Sequence, residues 1–155
     1  MTVEDDDELT PQEALRDLLE TLVDAFGLDA AVTVDIEDSV LVGAIVGEDV
    51  DAIVGERGSV LDAVQHLAQR VALRGGEGLR VSVDAGGYRG RREAELRAVA
   101  DAAADAALAQ GHDVELAPMP AAERRFVHEH LRERGDVDTH SEGDEPRRRL
   151  IVTPL

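Results

Sequence analysis

The 155 residues suffice for one ordinary domain or two very small ones, and 43% hydrophobic residues can supply a core. With two Phe, one Tyr and no Trp, that core must be Ala, Val, Leu and Ile. The absence of Cys removes disulfides, thiolate metal sites and Cys nucleophiles. A formal charge of -18 argues against nucleic acid as a partner, but the charge is unevenly spread. Residues 1–50 hold 15 acids against the single Arg16, whereas residues 51–155 hold 19 acids against 15 arginines. Those arginines cluster as Arg89 with Arg91-Arg92, Arg124-Arg125, Arg132 with Arg134, and Arg147-Arg148-Arg149. Every base is Arg, which genomic codon bias and adaptation to high salt explain equally well. No basic region leading into an apolar stretch marks a signal peptide, and no apolar run is long enough to span a bilayer. The expectation is a cytoplasmic protein without a membrane span.

Met1–Leu9 reads as an acidic, non-periodic tail, expected to be disordered. Thr10-Pro11-Gln12-Glu13 supplies an N-cap, a Pro at the first helical position and an acidic first turn. Ala14, Leu15, Leu18, Leu19, Leu22, Val23 and Phe26 then recur at helical spacing until Gly27. Ala31–Ile36 alternates as a half-buried strand, Glu37-Asp38-Ser39 turns, and Val40–Val46 forms a second strand. Asp49–Val54 is a short helix, Val60–Leu73 a long one ended by Gly75-Gly76-Glu77-Gly78, and Leu79–Val83 a third strand.

Between the two helices stands Gly55-Glu56-Arg57-Gly58. Two glycines three apart let the backbone turn tightly with no Cβ between it and an approaching strand. Ser59 is read as the N-cap of the long helix, with Asp62 completing a capping box. Helix N–H groups and glycines facing one place suit a phosphate. The order helix, strand, strand, helix, Gly-x-x-Gly, helix, strand resembles a type II KH domain over Thr10–Asp84. The resemblance implies a clamp on about four single-stranded nucleotides, with Gly55, Arg57 and Gly58 at the nucleic acid. Glu56 departs from the usual loop, and an acid beside a phosphate weakens binding.

From Gly87-Tyr88-Arg89-Gly90-Arg91-Arg92 an Ala-rich helix runs to about Ala109, with Leu96, Val99, Ala100, Ala103 and Ala107 on one face and Gly111 as its stop. Val114–Leu116 is a short strand, Ala121–Arg134 a helix, and Asp138–Ser141 with Arg149–Thr153 a final strand pair. Arg124 and His128 lie four apart, on one helical face. That spacing resembles the R-3-H domain, which binds single-stranded nucleic acid.

Three motifs in this order, Asp84-x-x-Gly-Tyr-Arg-x-Arg-Arg, Leu-x-Pro-Met-x-x-x-Glu-Arg-Arg-x-x-His and Ser-Glu-Gly-x-Glu-Pro-x-Arg, are similar to those of the Jag family. These are the bacterial SpoIIIJ-associated RNA-binding proteins, also called KhpB. The resemblance covers the chain from about Thr10 to its end. It implies an α+β protein with an acidic tail (1–9), a KH domain (10–85) and an R-3-H domain (86–155) that binds single-stranded RNA. Single-stranded DNA is a further candidate ligand, a small single-KH protein the implied protein partner, and cell elongation and division the implied setting. Longer members carry an N-terminal Jag domain; an acidic tail stands in its place here, so the sequence reads as a short form.

The candidate RNA contacts in the second half are Arg89, Arg91, Arg92, Arg124, Arg125 and His128. Three arginines at a helix start oppose the macrodipole, a placement that points to phosphate. Arg124 equally suits an ion pair, and His128 a packed ring bonded to backbone. Tyr88 suits stacking on a base or packing, packing being the simpler reading. His128 and His130 point about 200° apart on a helix and do not readily share a metal. No metal or cofactor is expected. With no P-loop, dinucleotide fingerprint or paired catalytic groups, neither is an enzyme. The competing class is a protein-binding adaptor whose acidic first third suits a basic partner.

Overall fold

The structure, a computed structural model, describes residues 9–72 and 78–155. The tail to Glu8, Leu73 at the end of its expected helix, and Gly75-Gly76-Glu77 lie outside the described residues. The chain divides into two compact units, residues 1–89 and 90–155.

The first unit opens with α1 (Pro11–Ala25), started by a complete capping box. Thr10 Oγ1 accepts from the Glu13 amide at 3.3 Å, and the Glu13 carboxylate accepts from the Thr10 amide at 2.9 Å. Leu15, Leu19 and Val23 are buried, while Phe26, expected in the same apolar stripe, lies past the last helical turn and is 42% exposed. Strands β1 (Ala30–Glu37) and β2 (Val40–Gly47) pair antiparallel across a turn in which Asp38 and Ser39 take positive φ. Helices α2 (Asp51–Val54) and α3 (Ser59–Ala72) flank the glycine turn, and β3 (Arg80–Ala85) returns parallel to β2. The sheet order is therefore β1-β2-β3, and α1 and α3 pack on one face of it. Period-2 alternation sends Leu41, Gly43, Ile45, Val81, Val83 and Ala85 into the core. Gly43 is the point of close approach, because a Cβ there would lie 2.7 Å from Leu19 Cδ1.

The second unit is built on α4 (Tyr88–Gln110), whose first two residues belong to the first unit. Leu96, Ala100, Ala103, Ala104 and Ala107 line its buried stripe. Val99, expected inside, is 48% exposed, and Ala104 takes the place on the core side. Gly111, at φ +69°, donates to Ala107 O and ends the helix. The strands β4 (Val114–Glu115), β5 (Val137–Glu142) and β6 (Arg149–Pro154) form an antiparallel sheet of order β4-β6-β5. Helix α5 (Ala121–Arg132) packs on β5 and β6, and its Val127 and Leu131 are fully buried with Leu150 and Val152. The fold is α+β throughout, with the helix and strand order expected from the sequence.

Candidate nucleic-acid interface

Between α2 and α3 the backbone takes positive φ at three of four positions: Gly55 (+71°), Arg57 (+52°) and Gly58 (+79°). Glu56–Gly58 is a single 3-10 turn. A Cβ on Gly55 would lie 2.9 Å from the Val60 nitrogen, and one on Gly58 would lie 2.7 Å from Tyr88 Cε1. Both positions therefore exclude side chains for packing as well as for backbone reasons. Arg57 holds a left-handed conformation that costs an L-residue roughly 1–2 kcal/mol, and its side chain is exposed beside that of Glu56. Ser59 is not the N-cap: at φ -62°, ψ -38° it is already helical. Asp62 is instead engaged by Arg89 at 3.2 Å. Tyr88 packs against the first core, the simpler of its two readings.

Arg89 is held by three contacts within the first unit. Its amide donates to Asp84 at 3.2 Å, its Nε to Val83 O at 2.9 Å, and its Nη1 to Asp62. The macrodipole argument is thus answered at this position by local partners, with Asp84 receiving a helix-start N–H. Arg92 is answered likewise within the second unit. Its Nε and Nη2 fork onto the Glu123 carboxylate at 2.8 and 3.0 Å, and Nη1 reaches Glu95 at 3.1 Å. Arg91 is exposed.

The face of α5 that carries Arg124 and His128 turns toward β5. Arg124 is 8% exposed, a buried charge with two acceptors: Met119 O at 2.7 Å and Glu145 Oε1 at 2.6 Å. His128 is half-buried and its Nδ1 bonds Thr139 Oγ1. Arg125 is exposed and pairs with Glu129 at 2.9 Å, a hydrogen bond that holds the Glu129 carboxyl below its ordinary value. Arg124, Arg125, His128, Thr139, His140 and Ser141 surround an open cleft of about 320 Å³ floored by Leu150. Hydroxyl, imidazole and guanidinium groups converge there, a donor set suited to phosphate and sugar oxygens. The structure brings Arg124, Arg125 and His128 together, and Arg92 reaches the same helix through Glu123. His130 faces elsewhere, with Nε2 3.0 Å from Asp101, so the two helix histidines sit in separate environments.

Sequence reasoning missed Thr139 and Glu145 as members of this site. Glu145 stands in the Glu-Pro of the third motif, and only that motif signals it. Thr139 lies in a predicted strand with no motif to mark it, at a position that alternation alone would place on the helix-facing side.

The R-3-H domain family matches residues 94–154, most of the second unit. The RNA-binding protein KhpB of Lactiplantibacillus plantarum is 33% identical over 144 residues, which cover 92% of this chain and 45% of that protein. The RNA-binding protein KhpB of Clostridium symbiosum is 30% identical over 147 residues, 93% of this chain and 66% of that protein. For the Bacillus subtilis protein of the same name the figures are 29%, 150 residues, 95% and 72%. The chain thus spans less than two thirds of the length of the first two relatives. The chain is thus similar to these KhpB proteins over nearly its whole length, and its residues 94–154 match the R-3-H domain family.

Proposed function

We propose that this chain binds single-stranded RNA, without chemistry on it, through a KH module at residues 10–85 and an R-3-H module at residues 86–155. The observation that carries the reading is the cleft between α5 and β5, where Arg125, His128, Thr139 and Ser141 meet above the buried Arg124. Gly55, Arg57 and Gly58 form a second, weaker contact, because Glu56 offsets the one cation of that loop. Arg89, Arg91 and Arg92 continue the basic stretch, with Arg91 as its exposed member. A small single-KH protein is the partner this reading attaches to the chain, the cytoplasm its location, and control of transcripts linked to cell elongation and division its setting.

The test is fluorescence anisotropy of a labelled single-stranded RNA against the full chain at several salt concentrations. Each phosphate left without its cation should flatten the slope of log affinity against log salt by roughly 0.7. Replacing Arg125 and His128 together with Ala should weaken binding and flatten that slope, with circular dichroism unchanged. Glu56→Lys should tighten binding at low salt. Unaltered affinity in both variants refutes the assignment.

A further inference from the structure

The face of the first sheet opposite the helices presents a column of aliphatic side chains along β2: Val40, Val42, Ala44 and Val46. The first three are half-buried and Val46 is 57% exposed, and none of the four belongs to the core of that unit. Register places Glu37 beside Val40, Asp35 beside Val42, Thr33 beside Ala44 and Ala31 beside Val46. At the Val46 end the column runs into an open cleft of about 540 Å³ whose walls include Asp29, Glu48 and Asp49. Among the described residues, none of these five carboxylates takes part in an ion pair. One cation, Arg80, stands at the opposite end, beside Val40.

We propose that this face is a docking surface for a basic polypeptide segment carrying alternate aliphatic side chains. Two other occupants fit the chemistry poorly. An RNA strand would bring phosphates against Asp35, Glu37, Asp29, Glu48 and Asp49, five carboxylates that Arg80 at the far end does not offset. A second copy would oppose two identical acidic rims, and residues 1–89 carry 20 acids against six arginines. Like charges opposed across a contact are a cost that specific interfaces avoid.

The backbone edges also direct a partner to the face. At β3 the side chain of Gln65 already occupies the strand: its Nε2 donates to Val81 O at 2.6 Å, and its Oε1 accepts from the Val83 amide at 2.7 Å. At β1 the Arg16 guanidinium donates to Val32 O at 3.3 Å. Side-chain groups thus sit where an added strand would pair. The sheet face instead offers a stripe of one residue type bordered by carboxylates, so aliphatic groups seat along β2 and ammonium or guanidinium groups reach the acids. The cleft at the Val46 end takes one long basic side chain.

The proposal is independent of the RNA assignment and is tested separately. A fluorescently labelled peptide of alternating Lys and Val, as long as β2, is titrated into the full chain at low salt. The controls are a Lys-Ser and a Glu-Val peptide of equal length. The Lys-Val peptide should bind at least about tenfold more tightly than the Lys-Ser peptide, a difference of about 1.4 kcal/mol by the affinity relation. The Glu-Val peptide should not bind. Amide chemical shifts should move along β2 and at Glu48 and Asp49. The double variant Glu48→Lys, Asp49→Lys should lose the Lys-Val peptide, and so should Val46→Ser, an exposed position where folding is not at stake. Neither variant should lose RNA affinity. Equal binding of Lys-Val and Lys-Ser peptides would reduce the effect to diffuse charge attraction and overturn the proposal. So would shifts confined to other elements, competition by RNA for the same residues, or self-association that masks the face.

Discussion

Arg124 is the side chain whose replacement tests most directly how the second unit holds its cleft. Its guanidinium joins the Met119 carbonyl, ahead of α5, to Glu145 in the connection between β5 and β6. Arg124→Met keeps most of the packed stem and removes both hydrogen bonds. A hydrogen bond from a charged group is worth roughly 1.5–3 kcal/mol. The Met119 bond takes that value in full, because Arg124 is 8% and Met119 6% exposed. The Glu145 side chain is 57% exposed, so solvent screening reduces its bond to about 1 kcal/mol or less. The expected loss is therefore about 1.5–4 kcal/mol, a large fraction of the stability of a domain this size. Glu145→Gln removes only the screened part and should cost about 1 kcal/mol or less. Urea denaturation of the wild type, the two single variants and the double variant closes a thermodynamic cycle. The coupling between the two positions should be about 1 kcal/mol or less, with the remainder of the Arg124 effect independent of Glu145. A change below about 0.5 kcal/mol for Arg124→Met, the usual range of surface changes, would refute a structural role for the buried cation. Because Arg124 is bound into the fold in this way, an RNA defect in its variants does not isolate RNA contact. The binding test for that reason uses Arg125 and His128.

Gln65→Leu should destabilise the first unit by about 2–3 kcal/mol, because it leaves the Val81 carbonyl and Val83 amide without their side-chain partners; urea denaturation measures this, and unchanged hydrogen exchange at Val83 would refute it. Acid sensitivity of the second unit should include a part from Arg134 and Asp136. The Arg134 hydrogen bond holds the Asp136 carboxyl below its ordinary value of 3.8. For a lowered carboxyl the stabilisation is fully present above that ordinary value and is lost as pH falls through the lower, folded one. Arg134→Gln should remove this part of the acid response while leaving the profile above about pH 5 parallel to wild type; an identical acid midpoint in the two proteins would refute it.

The elements were legible because each carries a local signal. The capping box at Thr10 and Glu13, the alternation along β1 and β3, and the glycine at the end of α4 are all properties of neighbouring residues. Among the local readings that fail, two have a plain physical reason. Ser59 has the composition of an N-cap, but the 3-10 turn ahead of it has already brought the chain into helical dihedrals. Val99 has the spacing of a buried stripe in a helix where Ala on neighbouring faces blurs the boundary of that stripe, and it lies outside it. What could not be read locally was the pairing of charges. Arg92 meets Glu123 from 31 residues away and Arg124 meets Glu145 from 21. Nothing in the spacing of either pair distinguishes a structural arginine from one presented to a ligand.

This pairing changes how the acidic composition bears on nucleic acid. A phosphate responds to the charges within about a Debye length, roughly 8 Å at physiological salt, and not to the total of -18. Three acids bonded to or beside the residues of the α5–β5 cleft are engaged: Glu123 by Arg92, Glu145 by Arg124, Glu129 by Arg125. An ion pair presents a far weaker field than a lone carboxylate, so the cleft is less hostile to a polyanion than a residue count implies. Among the described residues, Asp35 and Glu37 on the first sheet face take part in no ion pair and keep their full field. Salt therefore acts in opposite senses on the two surfaces if a polyanion approaches both. It weakens attraction at the cleft and relieves repulsion at the sheet. The chain's acidity and an RNA-binding role are compatible because charge is neutralised locally at one surface and left exposed at the other.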